Sequence, residues 1–166
     1  MNPDKRGYLK LPAGLLLTLL LSLAGNAHAL SSDSKQAVDI AADSVDLNEA
    51  KGVSTYSGNV EVNQGSIRLR ADKVIVEHQP GQPRWVRASG KPAKFRQRPD
   101  NSKQYVNGQA LRIEYSLDNE ELLLIDNAKL TQGKDVFSSD RIVYDRDKSV
   151  VKAGAAAQGK QRVKVT

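Results

Sequence analysis

The 166-residue chain has no cysteine, and only one histidine, His78, lies beyond its first 30 residues. Disulfide bonds, thiol catalysis and cysteine-ligated metals are therefore excluded. Because Gln-Pro-Gly follows His78, we interpret it as an exposed turn residue and not as a general base. The sequence also lacks a phosphate-binding loop, a dinucleotide fingerprint and a Gly-x-Ser-x-Gly elbow. These absences favour binding over catalysis, and no enzyme activity, cofactor or metal is expected.

Residues 1–29 have the order of a secretory signal peptide. Positive charges at Lys5, Arg6 and Lys10 precede a 14-residue, largely apolar stretch, and Ala27-His28-Ala29 supplies small residues at a cleavage site. An uncleaved membrane anchor is the alternative, although the stretch is shorter than the roughly 20 residues that a spanning helix needs. A lipid-anchored lipoprotein is excluded by the absence of cysteine. We predict a periplasmic mature domain of residues 30–166.

The charge of the chain is moderately basic. The whole chain carries +6, and the first 29 residues contribute +2, which leaves about +4 on the mature domain. For an exported protein this favours an anionic envelope component over nucleic acid as partner. One third of the mature chain is rich in cations, namely Arg68, Arg70, Lys73, Arg84, Arg87, Lys91, Lys94, Arg96 and Arg98. Phosphate-facing and simply solvated positions are both possible for them.

The mature sequence favours an all-β fold of short strands. Apolar and polar residues alternate in 60–62, 67–70, 111–115 and 162–165, which is the period of a half-buried strand. Turn residues punctuate these runs at Ser57-Gly58-Asn59, Asn63-Gln64-Gly65, Gln79-Pro80-Gly81, Asp118-Asn119 and Gln132-Gly133-Lys134. A sandwich, a jelly roll and a β-solenoid all fit this pattern.

An internal repeat divides the domain into two similar halves. Asn59, Gln64, Gly65 and Asp72 recur 68 residues later as Asn127, Gln132, Gly133 and Asp140. A longer middle connection is expected to hold Pro80, Pro83, Pro92 and Pro99. The segment 117–126 could form a short helix, but its alignment with 49–58 favours strands.

The repeated Asp43, Asp72 and Asp140 stand at equivalent strand starts. We expect them to fix turns by hydrogen bonds to the backbone and not to bind metal. Val38-Asp39-Ile40 and Arg162–Val165 are interpreted as edge strands, whose unpaired backbone groups can accept a further strand. Alternatively, Lys160, Arg162 and Lys164 protect the second edge from such pairing.

Three segments resemble the OstA-like family of lipopolysaccharide transport proteins. They are Tyr-Ser-Gly-Asn-Val-Glu-Val-Asn-Gln-Gly at 56–65, Ala-Asp-Lys-Val-Ile-Val at 71–76 and Gly-Lys-Pro-Ala-Lys-Phe-Arg-Gln at 90–97. The resemblance extends over roughly residues 38–151. It implies an open, twisted β-jelly roll with a V-shaped cross-section. It also implies head-to-tail stacking with itself and with homologous domains of the inner-membrane extraction complex and the outer-membrane translocon.

The resemblance further implies an apolar groove that holds the acyl chains of lipopolysaccharide. Val38 and Ile40 match the N-terminal strand of the groove, and Phe95 matches the aromatic residue of the Lys-Pro-Ala-x-Phe motif. Tyr115 and Leu117 match groove positions in a later strand. The chain departs from the family at Lys94 and Arg96, where relatives have threonine or tyrosine.

Two other functions remain open on sequence alone. One is a periplasmic chaperone or scaffold that binds envelope proteins and carries no lipid. The other is a glycan hydrolase, which needs two carboxylates that converge across a cleft. The repetition of acidic residues along strand starts favours an architectural role for them over this chemistry.

Overall fold

A computed structural model describes residues 32–79, 82–100 and 102–166. Its described residues form ten β-strands and three short 3-10 helices. The strands are β1 (Asp39–Ala41), β2 (Ser44–Asn48), β3 (Val53–Gln64), β4 (Ile67–Gln79), β5 (Gln82–Gln97), β6 (Val106–Ser116), β7 (Glu121–Gln132), β8 (Asp135–Asp145), β9 (Val150–Ala153) and β10 (Lys164–Val165). The 3-10 helices are η1 (Ser32–Lys35), η2 (Glu49–Lys51) and η3 (Gly154–Ala157). The all-β prediction is confirmed, whereas the predicted signal peptide lies outside the described residues.

All ten strands belong to one antiparallel sheet. The order is β1-β3-β4-β5-β6-β7-β8-β10, with β2 also on β3 and β9 also on β8. Each edge therefore consists of two short strands that share one long neighbour. This confirms the prediction that segments near the two chain ends form edge strands. The C-terminal one is limited to Lys164–Val165.

A crease crosses the sheet at the middle of every long strand. The pairing register shifts at 57–60, 70–73, 89–93, 109–112 and 125–128. Such bulges bend a strand and increase its twist. We call the part of the sheet that contains 53–57 and 112–116 arm I, and the part that contains 60–64 and 106–110 arm II.

The crease explains one error of the sequence analysis. Ser57-Gly58-Asn59 was expected to end a strand, but β3 continues through it. Gly58 and Asn59 have φ angles of 78° and 45°. Residues that favour left-handed backbone occur in turns and in bulges alike, so composition does not separate the two. The predicted short strands are accordingly wrong, because the central strands have 11 to 16 residues.

The predicted middle connection is also wrong, because it is the strand β5, the longest in the sheet. Pro92 lies between the shifted pairings of Ser89 and Ala93, where the ladder is already interrupted and a missing N–H is tolerated. The strand interpretation of 117–126 is confirmed from Glu121 onward, and the residues before it form the turn.

The internal repeat is a structural repeat. β7 begins and ends 68 residues after β3, and β6 stands in the same relation to β1 and β2 together. The recurring residues have the same backbone role. Asn59 and Asn127 both have positive φ at the crease (45° and 55°), and Gly65 and Gly133 both have positive φ at hairpin turns (56° and 62°).

One hydrophobic cluster takes side chains from both arms. Its wholly buried members include Val60, Val74, Leu124, Leu130 and Ile142. Burying a leucine, isoleucine or valine side chain contributes about 1.5–3 kcal/mol relative to leaving it exposed. The creased sheet is therefore held folded by apolar contact between its two arms.

No helix within 32–79, 82–100 and 102–166 is long and apolar enough to cross a membrane.

Candidate functional site

An apolar groove lies between the two arms. Its volume is about 290 Å³, close to the lower end of the roughly 300–1,000 Å³ typical of small-ligand pockets. Arm II contributes Val62 and Leu69, whereas arm I contributes Val76, Val86 and Ile113. These side chains face one another because alternate residues of each strand point to the same side of the sheet.

The structure brings all five predicted site residues to this groove. Val38, Ile40, Phe95, Tyr115 and Leu117 all line it. Val38 is 53% exposed at the mouth, and Ile40 is half-buried. The pairing of β1 with β3 sets Ile40 opposite Val62 and so extends the groove wall to the sheet edge. Sequence alignment with the family motif thus selected positions that share one cavity.

Phe95 has two roles in this cavity. It is only 7% exposed and belongs to the hydrophobic core, yet its ring also forms part of the groove floor. It stands opposite Leu69 on β4 and Gly108 on β6. A Cβ atom at position 108 would lie 2.8 Å from a methyl carbon of Leu124, so glycine lets this methyl approach the backbone. Substitutions at Phe95 therefore test stability as well as binding.

Leu117 is the only one of the five outside a strand. It follows β6, and its backbone N–H donates to the carbonyl of Arg84 at 3.1 Å. This bond holds the turn against the neighbouring strand and keeps the half-buried leucine at the groove.

The groove has few polar side chains. Gln64 and His78 lie on its lining, as does Arg146, which follows β8. His78 is exposed, as predicted, but it belongs to the end of β4 and not to a turn. Its Nε2 atom lies 3.1 Å from the Oγ atom of Ser54. The predominantly apolar lining suits hydrocarbon better than a polar substrate.

Arg146 is the residue that the sequence analysis missed. Its Nε atom donates to Oε1 of Gln97 at 2.8 Å, and its Nη1 atom donates to the hydroxyl of Tyr115. Burial raises the pKa of Tyr115, and the guanidinium of Arg146 partly opposes that rise. In the sequence Arg146 stands between Asp145 and Asp147, a pattern that predicts an exposed turn. Only the fold of the sheet reveals that its side chain reaches back to the groove.

The predicted cationic residues lie mostly outside the groove. Arg68, Arg70, Lys94 and Arg96 join Lys129 on a separate concavity of about 520 Å³. Arg70 pairs with Glu61 at 3.0 Å, and Arg96 lies 3.6 Å from the centre of the Tyr105 ring. Elsewhere Arg84 pairs with Asp118, and Arg87 pairs with Glu77. The solvated-face interpretation therefore describes these residues better than a role at the groove.

The repeated aspartates have unequal roles. Asp140 accepts backbone N–H groups from Lys160 and Gln161, as predicted. Asp43 instead accepts from the side-chain amide of Asn59 at 2.9 Å. Within the described part of the chain, no cluster of three or more histidine or acidic side chains could hold a metal ion.

A single creased sheet with an apolar groove between its arms defines the class, an open β-jelly roll. Comparison with known proteins then identifies the group within it. The family described as LptA/(LptD N-terminal domain) LPS transport protein matches residues 39–150. The chain belongs to this family.

Similar individual proteins agree with the family match. The lipopolysaccharide export system protein LptH of Pseudomonas aeruginosa is 37% identical over 131 residues, which cover 78% of this chain and 75% of that protein. LptA of Haemophilus influenzae is 36% identical over 152 residues, which cover 90% and 87%. LptA of Escherichia coli K12 is 36% identical over 132 residues, which cover 78% and 71%.

A solved structure supports the fold. The crystal structure of P. aeruginosa LptH, described as the LptA-homologous periplasmic component of the conserved lipopolysaccharide transport device, superposes with a TM-score of 0.74. The two chains are 32% identical, and the match covers 81% of this chain and 97% of that one. The predicted family and β-jelly-roll fold are thereby confirmed.

Proposed function

We propose that the chain is a periplasmic carrier that holds the acyl chains of lipopolysaccharide in the groove between its two arms. The observation that carries this proposal is the groove itself, with its aliphatic lining and few polar side chains. Membership of a lipopolysaccharide transport family supports the same cargo. The role is one of binding and transfer, and no catalytic step is assigned to it.

The physical basis of cargo binding is burial of hydrocarbon. Each methylene that leaves water contributes about 0.8 kcal/mol. The groove opens to solvent beside the exposed Val38, so a saccharide headgroup can stay in water while its chains are covered. In this proposal Val38, Ile40, Tyr115 and Leu117 contact the acyl chains along the walls, and Phe95 contacts them from the floor.

Assembly follows from the two sheet edges. Short strands end the sheet on both sides, β1 and β2 on one and β9 and β10 on the other. Unpaired backbone groups at such edges can accept a strand from another molecule. We propose that copies of this chain, and homologous domains in both membranes, stack edge to edge and so extend the groove across the periplasm.

Residues 1–29 are proposed to act as the export signal, which leaves a mature domain of residues 30–166. Protein recovered from the periplasm should begin at Leu30. A purified periplasmic form that retains Met1 would contradict this proposal.

Photo-crosslinking tests the cargo directly. A photoreactive amino acid at position 40 should form an adduct with lipopolysaccharide, because Ile40 lines the groove and is half-buried. Position 40 is preferable to position 95, because the core packing of Phe95 would confound the result. The control is the same probe at position 68, where Arg68 is exposed away from the groove.

The two positions separate the candidate functions. An adduct at position 40 without one at position 68 supports a lipid-bearing groove. Absence of an adduct at both positions in the folded protein would contradict lipid carriage and favour the scaffold function. Release of sugars from envelope glycans by the purified protein would instead support the hydrolase function.

A further inference from the structure

The apolar groove contains one permanently charged side chain. Among its described lining residues, Arg146 is the only arginine or lysine, and no aspartate or glutamate lines it. Its side chain is half-buried. A guanidinium keeps its charge at every physiological pH, so this cation persists next to the proposed site of the acyl chains.

The guanidinium is held by neutral acceptors. Its two hydrogen bonds go to the amide oxygen of Gln97 and to the hydroxyl of Tyr115. Its carbon atom also lies 4.8 Å from the centre of the Tyr115 ring. In the described part of the chain no carboxylate forms a salt bridge with Arg146, although five other cations there have one. A partly desolvated charge without a counter-ion is costly, and an incoming anion would relieve that cost.

A buried amide fixes the direction of the guanidinium. Gln97 is only 4% exposed, and its Nε2 atom lies 3.4 Å from Oδ2 of Asp33. Asp33 is itself buried and accepts the backbone N–H of Ser66 at 2.6 Å. Because the amide nitrogen faces Asp33, the amide oxygen faces Arg146. The guanidinium is thus oriented before any ligand arrives.

The guanidinium retains donors for a ligand. Arginine has five N–H donors, and the contacts to Gln97 and Tyr115 use two of them. A planar guanidinium with adjacent free N–H groups binds phosphate oxygens in a forked geometry. The chemistry at this end of the groove therefore matches a phosphate group attached to an acylated molecule.

We infer that Arg146 is an anchor for the phosphate of an amphiphile whose hydrocarbon chain occupies the groove. The inference rests on the proposed function, since it adds a headgroup contact to the same groove. Its consequence is selectivity: the protein binds a phosphorylated amphiphile in preference to a neutral one with the same chain. The phosphate could belong to lipid A or to a phospholipid, and the two sources require separate measurements.

The test compares two detergents that share a twelve-carbon chain, dodecyl phosphate and dodecyl maltoside. Affinities are measured by calorimetry for the mature wild-type protein, for R146Q and for R68Q. The R68Q control makes the same substitution on an exposed arginine that donates to the carbonyls of Gly65 and Ile67 outside the groove. The readout is the ratio of the two affinities, because a change in groove shape affects both detergents and cancels.

We expect the wild-type protein to prefer dodecyl phosphate, and R146Q to lose about 10- to 100-fold of that preference. R68Q should keep the wild-type ratio, and R146K should keep part of it because the charge remains. Repeating the comparison with bisphosphorylated lipid A, dephosphorylated lipid A and phosphatidylglycerol vesicles identifies the source of the phosphate.

Two results would overturn the inference, and they differ in what else they affect. An unchanged ratio in R146Q, with both detergents still bound, would make Arg146 a strut between the arms and leave the proposed function intact. If the wild-type protein binds neither detergent nor lipopolysaccharide, the proposed function fails together with the anchor.

Discussion

The carboxylate of Asp140 accepts the backbone N–H of Lys160 at 2.7 Å. It also accepts the N–H of Gln161 at 3.1 Å, so one side chain in β8 holds the segment that precedes β10. The end of the chain then returns to the sheet, where Val136 and Thr166 exchange two backbone hydrogen bonds of 3.0 and 3.1 Å. The C-terminal edge strand therefore depends on Asp140.

Replacing Asp140 with alanine should detach this edge strand. The amides of Lys160 and Gln161 lose their acceptor, and β10 then has only its short pairing with β8 to hold it. Amide hydrogen exchange should show lost protection at Thr166, while central strands keep theirs. D135A is a matched control, because Asp135 is exposed on the same strand. Equal protection of Thr166 in D140A and wild type would contradict the assignment.

The same contact should be sensitive to acid. The backbone N–H of Lys160, followed by further hydrogen bonds, lowers the pKa of Asp140 below its ordinary value. Because the folded-state pKa is the lower one, the stabilisation is complete above the unfolded value of about 3.9 and is lost as pH falls through the folded value. The amide NMR signal of Lys160 should thus titrate below about pH 3.9. A midpoint above that pH would count against the contact.

Asparagine at the crease should be replaceable by glycine but not by valine. Asn127 has a φ of 55°, a region that glycine adopts freely and β-branched residues avoid. We expect N127V to lower the free energy of unfolding by about 1–2 kcal/mol, and N127G to change it by a few tenths. Denaturant titration measures both variants. Equal stability of the two would remove the backbone explanation for the recurrence of Asn59 and Asn127.

The sequence was most informative where a residue type has one physical role. Alternating polarity predicted the strands, and the recurrence of asparagine and glycine revealed the two halves, because left-handed backbone restricts those positions to few residues. The family motif placed Val38, Ile40 and Phe95 on one groove, as well as Tyr115 and Leu117.

The crease and the charge in the groove could not be predicted in this way. Gly58 and Asn59 favour a turn and a bulge equally, so local composition does not show that β3 continues for 12 residues. Arg146 and Gln97 are 49 positions apart and meet only because the sheet folds along its crease. Contacts that depend on the relative position of two arms have no signature in a short window of sequence.

Leucines on the two sides of the sheet should differ sharply in their effect on stability. Leu124 is wholly buried in the core shared by the arms, whereas Leu111 is 41% exposed. L124A should lower the free energy of unfolding by about 2–5 kcal/mol, because it removes buried hydrocarbon and leaves a cavity. L111A is the matched control and should cost less than about 1 kcal/mol. Similar losses in both variants would show that the core is not where the structure places it.

An acidic residue in the groove wall should weaken lipid binding without unfolding the protein. Ile40 is half-buried on the edge strand β1, so I40D places a carboxylate against the proposed acyl chains at little cost to the core. Desolvating that charge on binding should lower the affinity for lipopolysaccharide by about tenfold or more.

V45D provides the comparison for I40D. Val45 is 57% exposed on β2 at the same sheet edge and does not line the groove. Both variants therefore add the same charge to the same edge, and only their position relative to the groove differs. Lipopolysaccharide binding, measured beside thermal unfolding, should fall for I40D alone. If both variants bind as the wild type does while remaining folded, Ile40 does not contact the cargo and the groove wall at β1 must be reassigned.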